Sequence, residues 1–170
     1  MTTPWVMKWR QMLPTDLEAV NRVADEVHVN YPEDAGVFAE RQALYARGCH
    51  VLAGSHGVVG YTISHPWHFK KPPELNVLLG GIPEKPTTYY LHDIALLPNA
   101  RGSGSAAEIV RDLLRFARDS RFPNVSLVAV NNSQRFWEKL GFEVVEDPEL
   151  DSKLRSYDDK AKFMVCDFGV

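Results

Sequence analysis

Two features of one short stretch have the composition for chemistry. Tyr89 to Ala106 reads YYLHDIALLPNARGSGSA, in which a run of apolar and aromatic residues holds His92 beside Asp93. After a proline comes Arg101-Gly102-Ser103-Gly104-Ser105-Ala106. Imidazole, with an ordinary pKa near ~6.5, is the side chain suited to moving a proton at neutral pH. The glycine loop offers something different. It lies between a strand pattern and a helix pattern, where unpaired backbone N–H groups meet the positive end of a helix macrodipole. Glycines let backbone approach a bulky anion without a Cβ in the way, and Arg101 adds a charge-assisted bond. Together these describe a pyrophosphate cradle. The loop is not a Walker loop, because no Gly-Lys-Ser/Thr follows. It is not the dinucleotide fingerprint either, because Gly-x-Gly-x-x-Gly is incomplete and no first βαβ unit surrounds it. A plain turn is the competing reading, and the loop alone leaves the two open.

The elements that must position these groups follow from periodicity. A first strand is predicted over Trp5 to Met12. Thr15 with Glu18 forms a capping box, after which Leu17, Val20, Val23, Ala24 and Val27 recur at helical spacing. A second helix is predicted over Val37 to Ala46, ended by Gly48. Cys49–Ala53 and Val58–Ser64 flank a turn with His56 and Gly57 and read as a hairpin. A long Pro/Gly-rich excursion precedes the strand Tyr89–Leu97, and an excursion of that length is expected to be functional or mobile. Helices over Gly104–Asp119 and Ser133–Leu140, the apolar strand VSLVAV and two closing strands, FEVVE and AKFMVCDF, complete the order. This is a mixed α/β domain.

Composition bounds the partners. The 170 residues are 45% hydrophobic and 24% charged, with a formal net charge of -3, so no basic footprint for nucleic acid exists. Two cysteines, Cys49 and Cys166, suit neither a disulfide framework nor a zinc site. No apolar run approaches a membrane span, and no signal-peptide core is apparent at the start. A cytoplasmic protein is expected.

Further along stands NNSQRFWEKLGF, and the loop and this segment together resemble the GNAT acetyltransferase superfamily. In that family an Arg/Gln-x-x-Gly-x-Gly/Ala loop, matched by Arg101, Gly104 and Ala106, holds the pyrophosphate of acetyl-CoA. A later aromatic-aromatic-x-Lys-x-Gly-Phe segment, matched by Phe136, Trp137, Lys139, Gly141 and Phe142, flanks the pantetheine and thioester. The resemblance implies the GNAT fold as one domain over 1–170. That fold is a mostly antiparallel sheet of about seven strands, splayed into a V between strands four and five and flanked by about four helices. It implies that Ile94, Ala95 and Leu96 offer free strand backbone to pantetheine. It also implies that Gly102, Ser103 and Ser105 complete the cradle, and that Asn132, Phe136 and Trp137 form the far wall. Acetyl-CoA is then the acyl-donor cosubstrate, with no metal, and a homodimer is compatible with the resemblance.

Acetyl transfer to an amine needs a base for the nitrogen's proton; the carbonyl oxygen benefits from a hydrogen-bond donor, here a backbone N–H near Leu96, and the leaving thiolate from a proton donor. His92 is the expected base. In arylalkylamine N-acetyltransferases, the nearest motif resemblance, the strand reads His-x-His-x-Leu-Ala-Val. His92 matches its second histidine, and Tyr90 stands at the first. Strand alternation puts Tyr90, His92 and Ile94 on one face and Asp93 on the other, so Asp93 is expected to be scaffolding, holding an amide or an ion pair. Many relatives have tyrosine, as general acid, where this chain has Trp137. Indole cannot give a proton to a thiolate in the ordinary sense, so either no acid is needed, a thiolate being a fair leaving group, or another hydroxyl serves, with Tyr157, placed in a loop before the last strand, and Tyr90 the candidate substitutes. His65, Trp67, His68 and Phe69 are expected to receive a small aromatic or alkyl primary amine, with Glu33 and Asp34 drawing a cation toward it. The alternatives are a protein amine as acceptor, or a non-catalytic acyl-CoA-binding or interaction module.

Overall fold

The structure is a computed structural model that describes residues 6–169. The predicted first strand begins at Trp5, outside the described residues; within them β1 spans Lys8–Gln11. There follow α1 (Leu17–Val27), α2 (Ala35–Leu44), β2 (Cys49–Gly54), β3 (Gly57–Trp67) and β4 (Thr88–Leu96). The chain continues with α3 (Ser105–Asp119), β5 (Asn124–Ala129), α4 (Gln134–Lys139), β6 (Glu143–Val144), α5 (Pro148–Tyr157) and β7 (Lys162–Asp167). The seven strands form one sheet in the order β1-β2-β3-β4-β5-β7-β6. Every neighbour is antiparallel except β4 and β5, which run parallel.

Helices cover both faces. The apolar stripe of α1 (Val20, Val23, Ala24) packs with Phe38 of α2 against Val51, Tyr61, Ile63 and Ala95. On the other face Ile109, Val110, Leu113 and Ala117 of α3 meet Tyr89, Leu91, Val125, Leu127, Trp137 and Phe142. Each such large apolar side chain, fully buried, contributes about 1.5–3 kcal/mol, which is why both helices sit where their stripes point.

The β4–β5 pairing is short. It runs only through Tyr89 with Val125 and Tyr90 with Ser126, pinned by Thr88 Oγ1 against Asn124 Oδ1 (2.6 Å) and Ser126 Oγ (2.7 Å). Beyond that point β4 continues to Leu96 and β5 to Ala129 without partners in each other. The expected V is there.

Several expectations need correction. Asp16, not Thr15, precedes α1; Thr15 lies in a short 3-10 turn, Pro14–Asp16. The Asp16 carboxylate accepts from Leu13 N–H and from Arg10 at 2.7 and 2.9 Å. Among the described residues there are five α-helices, against an expectation of about four. The additional one, α5, begins at Asp147, whose Oδ1 accepts from Glu149 N–H at 3.0 Å, with Pro148 at its first position. The long excursion is anchored along its length. Glu33 Oε2 accepts from Asn76 N–H (3.0 Å), and Glu40 accepts from Leu79 and Gly80 N–H (2.6 and 3.0 Å). The buried Arg41 donates to Glu40 and to the Val77 carbonyl.

Gly48 does not end α2, which stops at Leu44. It closes a 3-10 turn packed against β3, where a Cβ would lie 1.9 Å from the Ser64 carbonyl oxygen. The obstacle is backbone and cannot swing aside. Gly48→Ala is therefore expected to cost about 1–3 kcal/mol or more, read as a lowered urea midpoint; an unchanged midpoint would mean that this close approach is not required.

Candidate active site

The site is organised by an irregularity in β4. Opposite β3, Asp93 pairs with Ile63 and Leu91 with Ser64, so His92 is an extra residue without a partner. A bulge of this kind breaks the period of two and re-aims side chains. Tyr89 and Leu91 face α3, and so does Ile94, whereas Ala95 faces α1. His92 and Asp93 consequently line the same two cavities. The expectation that alternation separates them onto opposite faces fails for this reason.

Each has its own ionic partner. His92 Nε2 lies 2.9 Å from Glu33 Oε1, and both side chains are only 4% exposed. Glu33 is therefore not an open lure at an entrance but the partner of His92. Burial alone would raise its carboxyl, but the His92 hydrogen bond and charge and the Asn76 amide outweigh that and hold it below the ordinary value. Asp34 precedes α2, where its backbone N–H donates to Asn76 Oδ1. Asp93 Oδ1 lies 2.7 Å from His28 Nε2, and its other oxygen accepts from the Tyr61 hydroxyl. Burial of Asp93 is likewise outweighed, chiefly by His28, so its carboxyl is held low. Burial disfavours the charged form of His28, yet the charge and hydrogen bond of Asp93 raise its pKa overall.

Three cavities join end to end. The first, of about 510 Å³, is lined by Arg101 through Ala107 with Ile94, Leu96, Ser133 and Phe136. Gly102 and Gly104 have φ of +78° and +82°, and a Cβ at either would meet nothing within 4 Å. The second, about 230 Å³, is the open V: Leu91 to Leu96 on one side, Leu127, Val128, Val130 and Asn131 on the other, with Arg101, Ser133, Phe136 and Trp137. The third, about 50 Å³, holds His28, Tyr31, Glu33, Leu75, Tyr90, His92, Asp93, Val128, Val130 and Tyr157. Shared walls make the series continuous: Ile94, Leu96, Arg101, Ser133 and Phe136 link the first pair, and His28, His92, Asp93, Val128 and Val130 the second. A strand-to-helix glycine loop, a splayed parallel pair and the FWEKLGF helix thus frame a single groove.

The Acetyltransferase (GNAT) family profile matches residues 13–142. The chain belongs to the GNAT acetyltransferase family. No curated protein sequence matches it. Solved structures share the GNAT fold at low identity. Ard1 from Thermoplasma volcanium is 18% identical, with 94% of this chain and 95% of that one covered and a TM-score of 0.69. A GNAT family acetyltransferase from Brucella melitensis, in complex with acetyl-CoA, is 20% identical, with 97% and 90% covered and a TM-score of 0.58. The GNAT-like decarboxylase GphF, in complex with isobutyryl-CoA, is 16% identical, with 94% and 98% covered and a TM-score of 0.75.

Within this GNAT groove the predicted site residues fall unevenly. Ile94, Ala95, Leu96, Arg101, Phe136 and Trp137 line the V, and Gly102, Ser103, Gly104, Ser105 and Ala106 line the loop cavity. The backbone of β4 sharpens the first set. Leu97 N–H is spent on the Val59 carbonyl across β3. The alternation of an antiparallel ladder then turns the backbone of Leu96 and Ile94 toward the gap and that of Ala95 toward β3. Arg101 Nε already donates to the Leu96 carbonyl at 3.1 Å. Asn132 lies outside the groove, in a neighbouring surface depression; Asn131 is the asparagine at the V. Trp137 is buried against Phe136 and Phe142 and donates from Nε1 to Ser133 Oγ at 3.2 Å.

Tyr157 ends α5 rather than lying in a loop, and its hydroxyl donates to the Pro73 carbonyl. It reaches the third cavity but not the V, and burial raises its pKa. The aromatics proposed for an acceptor are elsewhere: His65 and Trp67 belong to β3, and Phe69 packs on Phe163. Buried His65, pushed down by burial to about 3, packs its ring against Tyr90 and His92. Sequence reasoning missed His28, Tyr31, Leu75 and the Glu33–His92 pair. Among the described residues no group of histidines, cysteines and carboxylates is arranged to hold a metal, and no helix is long and apolar enough to cross a membrane.

Proposed function

We propose that this GNAT protein is an acetyl-CoA-dependent N-acetyltransferase that acetylates a primary amine of a small molecule by direct attack on the thioester. The observation that carries this reading is the continuity of the groove, from an anion cradle through free strand backbone to a histidine–carboxylate pair. The cradle fits a pyrophosphate. Its glycines leave open space where side chains would stand, the first amides of α3 lack intrahelical partners, and Arg101 stands beside them. Acetyl-CoA supplies an activated acyl group. The Leu96 N–H, turned toward the gap, suits a developing oxyanion.

His92 acts as the base. With Nε2 directed at Glu33, a neutral ring keeps its proton on that nitrogen and leaves Nδ1 to accept one from the amine. Glu33 then stabilises the imidazolium, as an orienting carboxylate does in other acid–base sites. The acceptor end is small, about 50 Å³, and lined by Leu75, Tyr31 and Tyr157. That size favours a compact amine over a protein chain, and Tyr157 and Tyr90 serve it as wall.

Thiol release from acetyl-CoA across alkyl amines, aryl amines and a peptide N-terminus tests this. Turnover with a small amine is expected. Turnover with the peptide alone would replace the acceptor class. Tight CoA binding without thiol release would identify a non-catalytic binding module.

A further inference from the structure

Acyl transfer leaves a sulfur anion that gains from a proton donor, and the side chain at the family's tyrosine position cannot be one. Trp137 is buried, and its indole N–H is held by Ser133 Oγ. Tyr157 is directed at Pro73 and does not line the V.

We propose that His28, paired with Asp93, is the group that delivers the proton to the leaving sulfur. This rests on the acetyl-transfer reading above. His28 lines both the V and the acceptor cavity, where donor and acceptor would meet in the acetyl-transfer reading. Its Nε2 is committed to Asp93 Oδ1 at 2.7 Å, and Asp93 is itself fixed by Tyr61. Its Nδ1 is enclosed and has no hydrogen-bond partner among the described residues. In the imidazolium that nitrogen carries an unspent N–H, and such a group is costly to bury without an acceptor. His28 directly follows α1, with its own N–H on the Ala24 carbonyl, so the negative end of the macrodipole also favours the cation.

The charged groups around it act in both directions. Asp93 of β4 and Glu33 of the α1–α2 loop favour the imidazolium; burial and Arg101 of the loop before α3 oppose it. His92 of β4, Tyr31 and, from α5, Tyr157 complete the titratable surroundings. The balance lies with Asp93.

The step closes without a further reactant. The amine lone pair forms the C–N bond, and the C–S pair passes to sulfur. Sulfur takes the Nδ1 proton of His28, and the nitrogen's surplus proton passes to Nδ1 of His92. His28 becomes a neutral imidazole that keeps Nε2–H on Asp93, and exchange with water restores both rings. Two histidine–carboxylate pairs thus divide the acid and base roles.

The test is the pH dependence of kcat for wild type, His28→Gln and Asp93→Asn, with an accepted amine. It is joined to imidazole nitrogen NMR of the full chain alone, with CoA and with desulfo-CoA. Wild-type kcat should fall on the alkaline side as His28 loses its proton. His28→Gln should lower kcat about 10²-fold and abolish that limb while calorimetric CoA affinity is retained. Asp93→Asn removes the anion and should move the limb to lower pH. His28 resonances should report a charged ring at neutral pH and respond to CoA but not to desulfo-CoA. A His28→Gln enzyme with wild-type kcat and an intact alkaline limb overturns the assignment. So does a neutral His28 or one indifferent to the sulfur, which decides the matter even where the variant fails to bind CoA. Absence of wild-type turnover on every amine instead overturns the acetyl-transfer reading, leaving the NMR arm to judge His28.

Discussion

Gly104→Val is expected to weaken CoA binding about 10²-fold while leaving a cooperatively folded protein. Gly104 sits at φ +82° and ψ 0° at the start of α3. A side chain in this left-handed region costs about 1–2 kcal/mol, more for a β-branched residue, so some loss of stability comes with the substitution. The larger effect is elsewhere. A Cβ there meets no protein atom within 4 Å, which means that the added methyls occupy the cavity and not the core. A bulky anion drawn to the α3 amides would meet them directly. Crowding of about 3 kcal/mol, at the upper end for forced overpacking, corresponds to a loss of about 10²-fold in affinity. Calorimetry with CoA measures it, and Gly104→Ala separates the two causes because it shares the backbone strain with less bulk. Retention of wild-type affinity by the valine variant would remove the loop from the binding site.

The parts of this site that sequence reveals are those made by neighbours in the chain. Arg101 to Ala106 lies between a strand and a helix whatever the rest of the molecule does, and FWEKLGF carries its own helix and glycine stop. The bulge at His92 is different in kind. It arises from the register of β4 on β3, where Ile63 and Ser64 meet Asp93 and Leu91, and period-two reasoning has no means of sensing it. The same holds for His28 and Glu33, which lie 65 and 59 positions from their β4 partners. Gly48 belongs with them, since its constraint is the carbonyl of Ser64. The fifth helix was legible. Asp147 and Pro148 form an N-terminal signal, and Leu150 and Leu154 recur at helical spacing, but a polar segment near the end of the chain reads more readily as loop.

The rate of chemistry should depend on His92 and its partner in separable ways. His92→Ala removes the proposed base, and kcat should fall roughly 10²–10⁴-fold. CoA affinity should change little, because the cradle proposed to hold the pyrophosphate does not include His92, which meets only the V and the acceptor cavity beyond it. Glu33→Gln tests something subtler. Glu33 accepts from His92 through Oε1 and from Asn76 N–H through Oε2. A glutamine has one acceptor oxygen, so whichever donor it satisfies, its NH₂ faces the other. If it keeps His92, the Asn76 anchor is lost, and the adjacent Leu75, a wall of the acceptor cavity, is released. Steady-state kinetics should therefore show a kcat defect with little change in acceptor KM for His92→Ala. Glu33→Gln should show a smaller kcat defect with a raised acceptor KM. Unchanged turnover in His92→Ala would exclude it as the base, and a Glu33→Gln enzyme with wild-type acceptor KM would show that the loop keeps its place without that carboxylate.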